Sequence, residues 1–165
     1  MQMKGIFNMA TPEQQQENLF TIEAIHGLWD VDSKIDDLEL DLESLKIPQL
    51  HSKYMKIMND ENRILNRMMF THKMLEKDKF EYYSGKMCEE DLEERNWKPL
   101  TLKILKGDIS KYIEGDPDII QNLVMIGDQR EKVGLLSSII GSVNNRSFQI
   151  TNAIKWKQFT NGING

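Results

Sequence analysis

Between Pro48 and Tyr83 apolar residues recur at intervals of three, four and seven. Leu50, Tyr54, Ile57, Ile64, Met68, Leu75 and Tyr82 fall on one side of a helix, and Met58, Leu65 and Met69 widen the stripe. No other stretch restricts the fold as tightly. Pro48 suits the first helical turn, where its missing N–H is not needed, and Ser84-Gly85 suits the end. Such a helix is roughly 50 Å long at about 1.5 Å per residue, too long to bury its stripe against itself. It requires partner helices, from its own chain or from copies. Glu61, His72 and Lys79 interrupt the seam, so the pattern is not a strict coiled coil.

The flanking segments are shorter and less regular. Met1–Ala10 has no periodicity and is expected to be disordered, while Thr11-Pro12-Glu13 is a helix start that leads to about Trp29. Residues 1–33 therefore read as an acidic N-terminal arm, flexible or a short helix, serving as a solvated leader or as a docking segment. Ile35–Glu43 mixes helical and alternating patterns, and both readings stay open. After the long helix, Glu89–Glu94 reads as an acidic connection and Trp97-Lys98-Pro99 as a turn. Leu100–Ile113 fits either a strand or a short helix.

Asp116-Pro117 starts another helix, expected to end near Asn144 or Asn145. It carries Ile119, Ile120, Leu123, Val124, Ile126, Val133, Leu136, Ile139, Ile140 and Val143. Gly127, Gly134 and Gly141, seven apart, share a face; this is either a close helix approach or chance spacing. Ser147 is placed to cap a last helix over Phe148–Phe159. The expected fold is mainly α: one long amphipathic helix and two C-terminal helices in a single helical domain over 34–165.

Composition excludes several classes. Cys88 is the only cysteine, which rules out an intrachain disulfide and suits a reducing compartment. The N-terminus has no secretory pattern and no apolar run is long enough to span a membrane. No phosphate-loop motif occurs, His26, His51, His72 and Cys88 have no metal-ligand spacing, and the carboxylates lie in solvated acidic runs. No enzyme, metal or cofactor is indicated.

The net charge of -5 is segmented by sign. Residues 1–45 hold ten acids against two lysines, 46–86 nine bases against five acids, 87–143 eleven acids against seven bases, and the tail from Asn144 three bases with no acid. On a helical wheel Lys56, Arg63, Arg67 and Lys77 fall within about 80° of one another, with Lys53 and Lys73 at the margins, opposite the apolar stripe. Asp60, Asp78 and Glu81 dilute this arc, so a solvated face explains it as well as a phosphate-binding one. Its end, Lys77-Asp78-Lys79-Phe80-Glu81-Tyr82-Tyr83-Ser84-Gly85-Lys86, interleaves lysines with aromatic rings. That combination suits unpaired nucleic-acid strands, whose bases are open to stacking; Tyr82 and Tyr83 suit the core equally.

Lys77-x-Lys79-Phe80-x-Tyr82-Tyr83-Ser84-Gly85 resembles the basic-x-basic-apolar-acid-Tyr-Tyr-Ser-Gly signature of the UvsY family of phage recombination mediators. Arg146-x-Phe148-x-Ile150-x-x-Ala153-Ile154-Lys155-x-x-x-Phe159 is similar to that family's closing helix. The resemblance runs from about Lys34 to Gly162; Met1–Val31 has no counterpart and Lys86–Leu100 matches poorly. It implies a non-enzymatic, ring-like homo-oligomer without cofactor, acting in the cytoplasm of an infected bacterial host. It implies partners as well: single-stranded DNA, single-strand-binding protein and a RecA-like recombinase that the protein helps to load.

The expected DNA contacts are Lys77 and Lys79, which the resemblance singles out, with Tyr82, Tyr83, Lys73, Arg67, Arg63 and Lys56 from the charge and aromatic pattern. The expected self-association set is Arg146, Phe148, Ile150, Ile154 and Phe159 in a helix over about 146–160, to which Trp156 adds a large apolar ring; that helix could instead fold back on its own chain. Two other functions fit the residues without the resemblance. One is a helical assembly protein that does not bind DNA, and the other is an adaptor whose acidic arm mimics DNA.

Overall fold

The computed structural model describes residues 21–162, and among these it contains five helices and no strand. They are α1 (Ile22–Asp32), α2 (Leu40–Tyr83), α3 (Glu89–Glu94), α4 (Ile109–Glu114) and α5 (Pro117–Thr160). The expected helix start at Thr11 lies outside the described residues. Within them α1 opens at Thr21, whose side chain accepts from Ala24 N at 3.1 Å.

Three boundaries differ from expectation. The long helix begins at Leu40, leaving Pro48 inside it. Proline removes one ladder bond there, but the preceding turns are anchored by buried Leu40 and Glu43. The chain from 100 to 113 is a loop followed by α4. The two expected C-terminal helices are one, 44 residues long. Asn144-Asn145 does not break α5, because asparagine costs only about 0.7 kcal/mol in a helix and the flanking Val143, Arg146 and Ile150 are all buried. Ser147 is an interior residue whose carbonyl accepts from Thr151 Oγ1 at 2.8 Å.

The helix ends that turn the chain have identifiable causes. At the end of α2, Lys86 N donates to Glu81 O and Gly85 N to Tyr82 O, both at 3.0 Å, with Gly85 at φ 69. This is a Schellman cap, and its left-handed residue favours glycine. Asn96, at φ 54, closes α3 in the same way, with Trp97 N donating to Leu92 O and Asn96 N to Glu93 O. Asp116 starts α5 by accepting from Asp118 N at 2.9 Å, ahead of Pro117 in the first helical position.

The chain divides into two compact units, one comprising the residues up to Tyr54 together with those from Ser138 on, the other Met55–Ser137. In the first, Ile25, Leu40, Tyr54, Ile139, Ile140, Val143 and Ile150 form the core. Trp29 meets Tyr54 edge to face at 5.6 Å, and the Tyr54 hydroxyl donates to Asp32 at 2.9 Å. Arg146, only 2 % exposed, donates to the carbonyls of Asp32, Ser33 and Lys34 at 2.6–3.2 Å and to Glu43 Oε2 at 2.6 Å. Hydrogen bonds from Lys46 and Arg146 hold the Glu43 carboxyl below its ordinary range. For Asp32, burial opposes ionisation, but the bonds from Lys53 and Tyr54 outweigh it and its pKa is lowered.

In the second unit Ile57, Leu92, Ile109, Ile119, Ile126 and Leu136 are buried. The three polar interruptions of the α2 seam each meet a partner from the first half of α5 or just before it. Glu61 Oε2 accepts from Gln129 Nε2 at 2.7 Å and lies 3.3 Å from Lys132 Nζ. His72 Nδ1 pairs with Asn122 Oδ1 at 3.0 Å, and Lys79 pairs with Asp116 and Asp118. The partner numbers fall as the α2 numbers rise, so within this unit the two helices run antiparallel. A slip of one turn would break all three layers, which is how buried polar groups fix a register.

The glycine stripe of α5 faces open space within the chain: a Cβ added at Gly127, Gly134 or Gly141 meets nothing within 4 Å. Ile120, Leu123 and Val124, among the apolar positions of this helix, are about half exposed. Gly127→Ala is therefore expected to raise the unfolding free energy by about 1 kcal/mol, the usual gain of alanine over glycine in a helix, measured by urea denaturation. A loss of stability would mean that something packs closely on that face.

Candidate nucleic-acid interface

The expected DNA contacts all lie in the second unit, on α2, and the structure sorts them into three groups. Lys56, Arg67 and Lys73 are exposed, and none has an ion pair among the described residues. Arg63 and Lys77 are exposed but paired, Arg63 with Asp60 at 2.9 Å and Lys77 with Glu81 at 3.6 Å. These surface pairs are weak and leave the charge available to a ligand.

Lys79, Tyr82 and Tyr83 form the third group and are engaged within the chain. Lys79, 5 % exposed, lies 2.9 Å from Asp116 Oδ2 and 2.5 Å from Asp118 Oδ2, with its ammonium 4.0 Å from the centre of the Trp97 ring. Its charge is committed to two carboxylates and an aromatic face. The Tyr83 hydroxyl donates to Asp116 at 2.7 Å and the Tyr82 hydroxyl to Lys98 O at 2.9 Å. The rings pack against each other at 5.1 Å, Tyr82 also against Trp97 at 5.3 Å and Tyr83 against Tyr112 at 5.7 Å. Burial would lift the Asp116 carboxyl, but the bonds from Tyr83 and Lys79 outweigh it and its pKa is lowered. Burial, reinforced by the Asp116 hydrogen bond and charge, pushes the Tyr83 hydroxyl well above its usual value.

The signature segment thus ties the end of α2 to the loop that follows and to the start of α5. Its one ring without an aromatic or hydrogen-bonded partner among the described residues is Phe80, 47 % exposed. The expected contacts omit Lys86, Lys103 and Lys106, which are exposed, carry no ion pair among the described residues and line one cleft with Phe80. Lys86 stands in the basic segment, but Lys103 and Lys106 sit in a net acidic stretch, and only the turn after Gly85 brings them near it.

The expected self-association residues divide as well. Arg146 and Ile150 are buried in their own unit, whereas Phe148, Trp156 and Phe159 are 66–70 % exposed and Ile154 is 39 % exposed. Among the described residues no group of His, Cys, Asp and Glu is placed to hold a metal ion, and no helix is long and apolar enough to cross a membrane.

Fold and site define an all-helical chain with a polar-matched seam, a lysine-rich end to its long helix and an uncovered apolar tail. The sequence matches the family described as recombination, repair and ssDNA binding protein UvsY over residues 28–163, and the chain belongs to that family. The match starts a few residues before the segment where the motifs alone could be aligned. The family's description names no catalytic activity.

The fold is similar to crystal structures of the recombination mediator protein UvsY of bacteriophage T4. One matches with a TM-score of 0.74 at 18 % identity, covering 86 % of this chain and 98 % of the other. A second lattice form gives 0.71 at 16 % identity, covering 86 % and 99 %. A comparison with curated protein sequences finds no match.

Proposed function

We propose that the protein is a recombination mediator that binds single-stranded DNA as a ring-like homo-oligomer. In this reading it helps a RecA-like recombinase replace single-strand-binding protein on the strand, without hydrolysing nucleotide itself. The family match over 28–163 carries the proposal. Exposed cations on α2 without a carboxylate partner among the described residues support strand binding, and the exposed Phe148, Ile154, Trp156 and Phe159 support self-association. One protomer offers few phosphate contacts, so tight binding at physiological salt requires several linked copies. Lys79, Tyr82 and Tyr83 hold the patch together, and Lys77, Lys73, Arg67, Arg63 and Lys56 flank the strand. The acidic N-terminal arm docks basic partner proteins.

The test is recombinase activity on DNA coated with single-strand-binding protein, with and without this chain. A mediator shortens the lag before filament growth; no change in lag sinks the reading. The assembly arm is tested by Phe148→Ser, Trp156→Ser and Phe159→Ser combined. Because these side chains are exposed, helix content should persist while the sedimenting mass falls to that of one chain. Affinity for single strands should fall steeply with it, since the sites are no longer joined. An unchanged mass would assign assembly to another surface.

A further inference from the structure

Beyond the helix face, a cleft of about 690 Å³ opens where α2 ends, lined by Phe80, Tyr83, Lys86, Leu102, Lys103 and Lys106 among others, and by no carboxylate. Its volume falls in the range of sites for small organic groups. The Schellman turn at Gly85 sets Lys86 on one lip, and the loop carrying Lys103 and Lys106 forms the other. That loop is held near α2 by the Tyr82 hydroxyl on Lys98 O. The three lysines stand without ion pairs among the described residues of a chain whose net charge is -5. Of the acids near the end of α2, Asp78 is paired with Arg95, Glu81 with Lys77, and Asp116 and Asp118 with Lys79, and those of α3 do not line the cleft. What remains is a concave, positively charged surface with an exposed ring at its edge.

We propose that this cleft is the nucleotide-binding subsite for single-stranded DNA, with phosphates on Lys86, Lys103 and Lys106 and a base stacked on Phe80. It rests on the strand-binding reading above but moves the principal contacts off the signature lysines. The chemistry is that of unpaired strands: lysines track the backbone and an aromatic face accepts any base. Duplex DNA keeps its base faces covered and has nothing to offer Phe80.

The experiment is fluorescence anisotropy of a labelled oligothymidylate with the full chain across a range of salt. Lys86→Gln, Lys103→Gln and Lys106→Gln combined should lower the slope of log K against log salt by about 2, at roughly 0.7 per lost phosphate contact. Melting should be unchanged, since all three side chains are exposed. Phe80→Ala should cost about fivefold or more in affinity, the loss expected for one stacked base, with the slope retained. Wild-type binding with an unchanged slope in the triple variant overturns the cleft and leaves the mediator reading intact. Unchanged affinity in Phe80→Ala overturns the stacking contact. A wild-type chain that binds no oligothymidylate overturns both readings together.

Discussion

Arg146→Ala is expected to lower the unfolding free energy by about 3–5 kcal/mol, the usual cost of removing one partner from a buried ion pair. Among the described residues the guanidinium is the only side-chain donor to three consecutive carbonyls, those of Asp32, Ser33 and Lys34, besides its bond to Glu43. Alanine leaves all four acceptors without it, the Glu43 carboxylate in a buried position and the carbonyls in a partly buried one, although Glu43 keeps Lys46 at 2.6 Å. Urea unfolding should show a lower midpoint at unchanged slope, and a loss below about 1 kcal/mol would mean that water replaces the guanidinium. Replacing the pair, Glu43→Leu with Arg146→Met, should recover part of the loss, because it removes both buried charges together.

The same cluster sets an acid limit. The pKa values of Glu43 and Asp32 are lowered on folding. Their contribution to stability is complete above the ordinary carboxylate range and is lost as pH falls through the lowered values.

Lys79→Ala is expected to cost about 3 kcal/mol of stability while leaving the salt dependence of strand binding unchanged, measured well below the melting temperature. The ammonium is buried against Asp116, which is 4 % exposed and starts α5. Without it Asp116 retains the Tyr83 hydroxyl and two backbone N–H groups but no counter-charge. Lys77→Ala should do the reverse, with little effect on stability because its side chain is 74 % exposed. A salt slope that falls by about 0.7 in Lys79→Ala would place Lys79 on the strand and require the ion pair to open on binding.

The helical periodicity of 50–82 and the Asp116-Pro117 start were legible because local chemistry decides them. The extent of both long helices was not. Pro48 and Asn144-Asn145 read as boundaries by intrinsic preference, and burial of Leu40, Glu43, Arg146 and Ile150 overrides them. Glu61, His72 and Lys79 were visible as breaks in a seam, but their partners lie about 40 to 70 residues away and pairing over such distances leaves no local mark. For the same reason composition could not separate the committed Lys79 from the uncommitted Lys86, or bring Lys103 and Lys106 beside Phe80. Self-association could not be tested by truncation before Arg146, because that would remove Arg146 and Ile150 from a core.

The continuity of α5 also governs which changes its lineage can absorb. One residue inserted into a helix turns everything beyond it by about 100° and advances it by about 1.5 Å. An insertion at Asn144-Asn145 would turn Arg146 and Ile150 away from the core that they share with Ile139, Ile140 and Val143 of the same unit. The length of this helix is therefore fixed by its packing. The loop from Trp97 to Asp108, which belongs to no helix, can lengthen or shorten without disturbing a register. A fold held in this way persists at low identity, as the TM-score of 0.74 at 18 % identity illustrates.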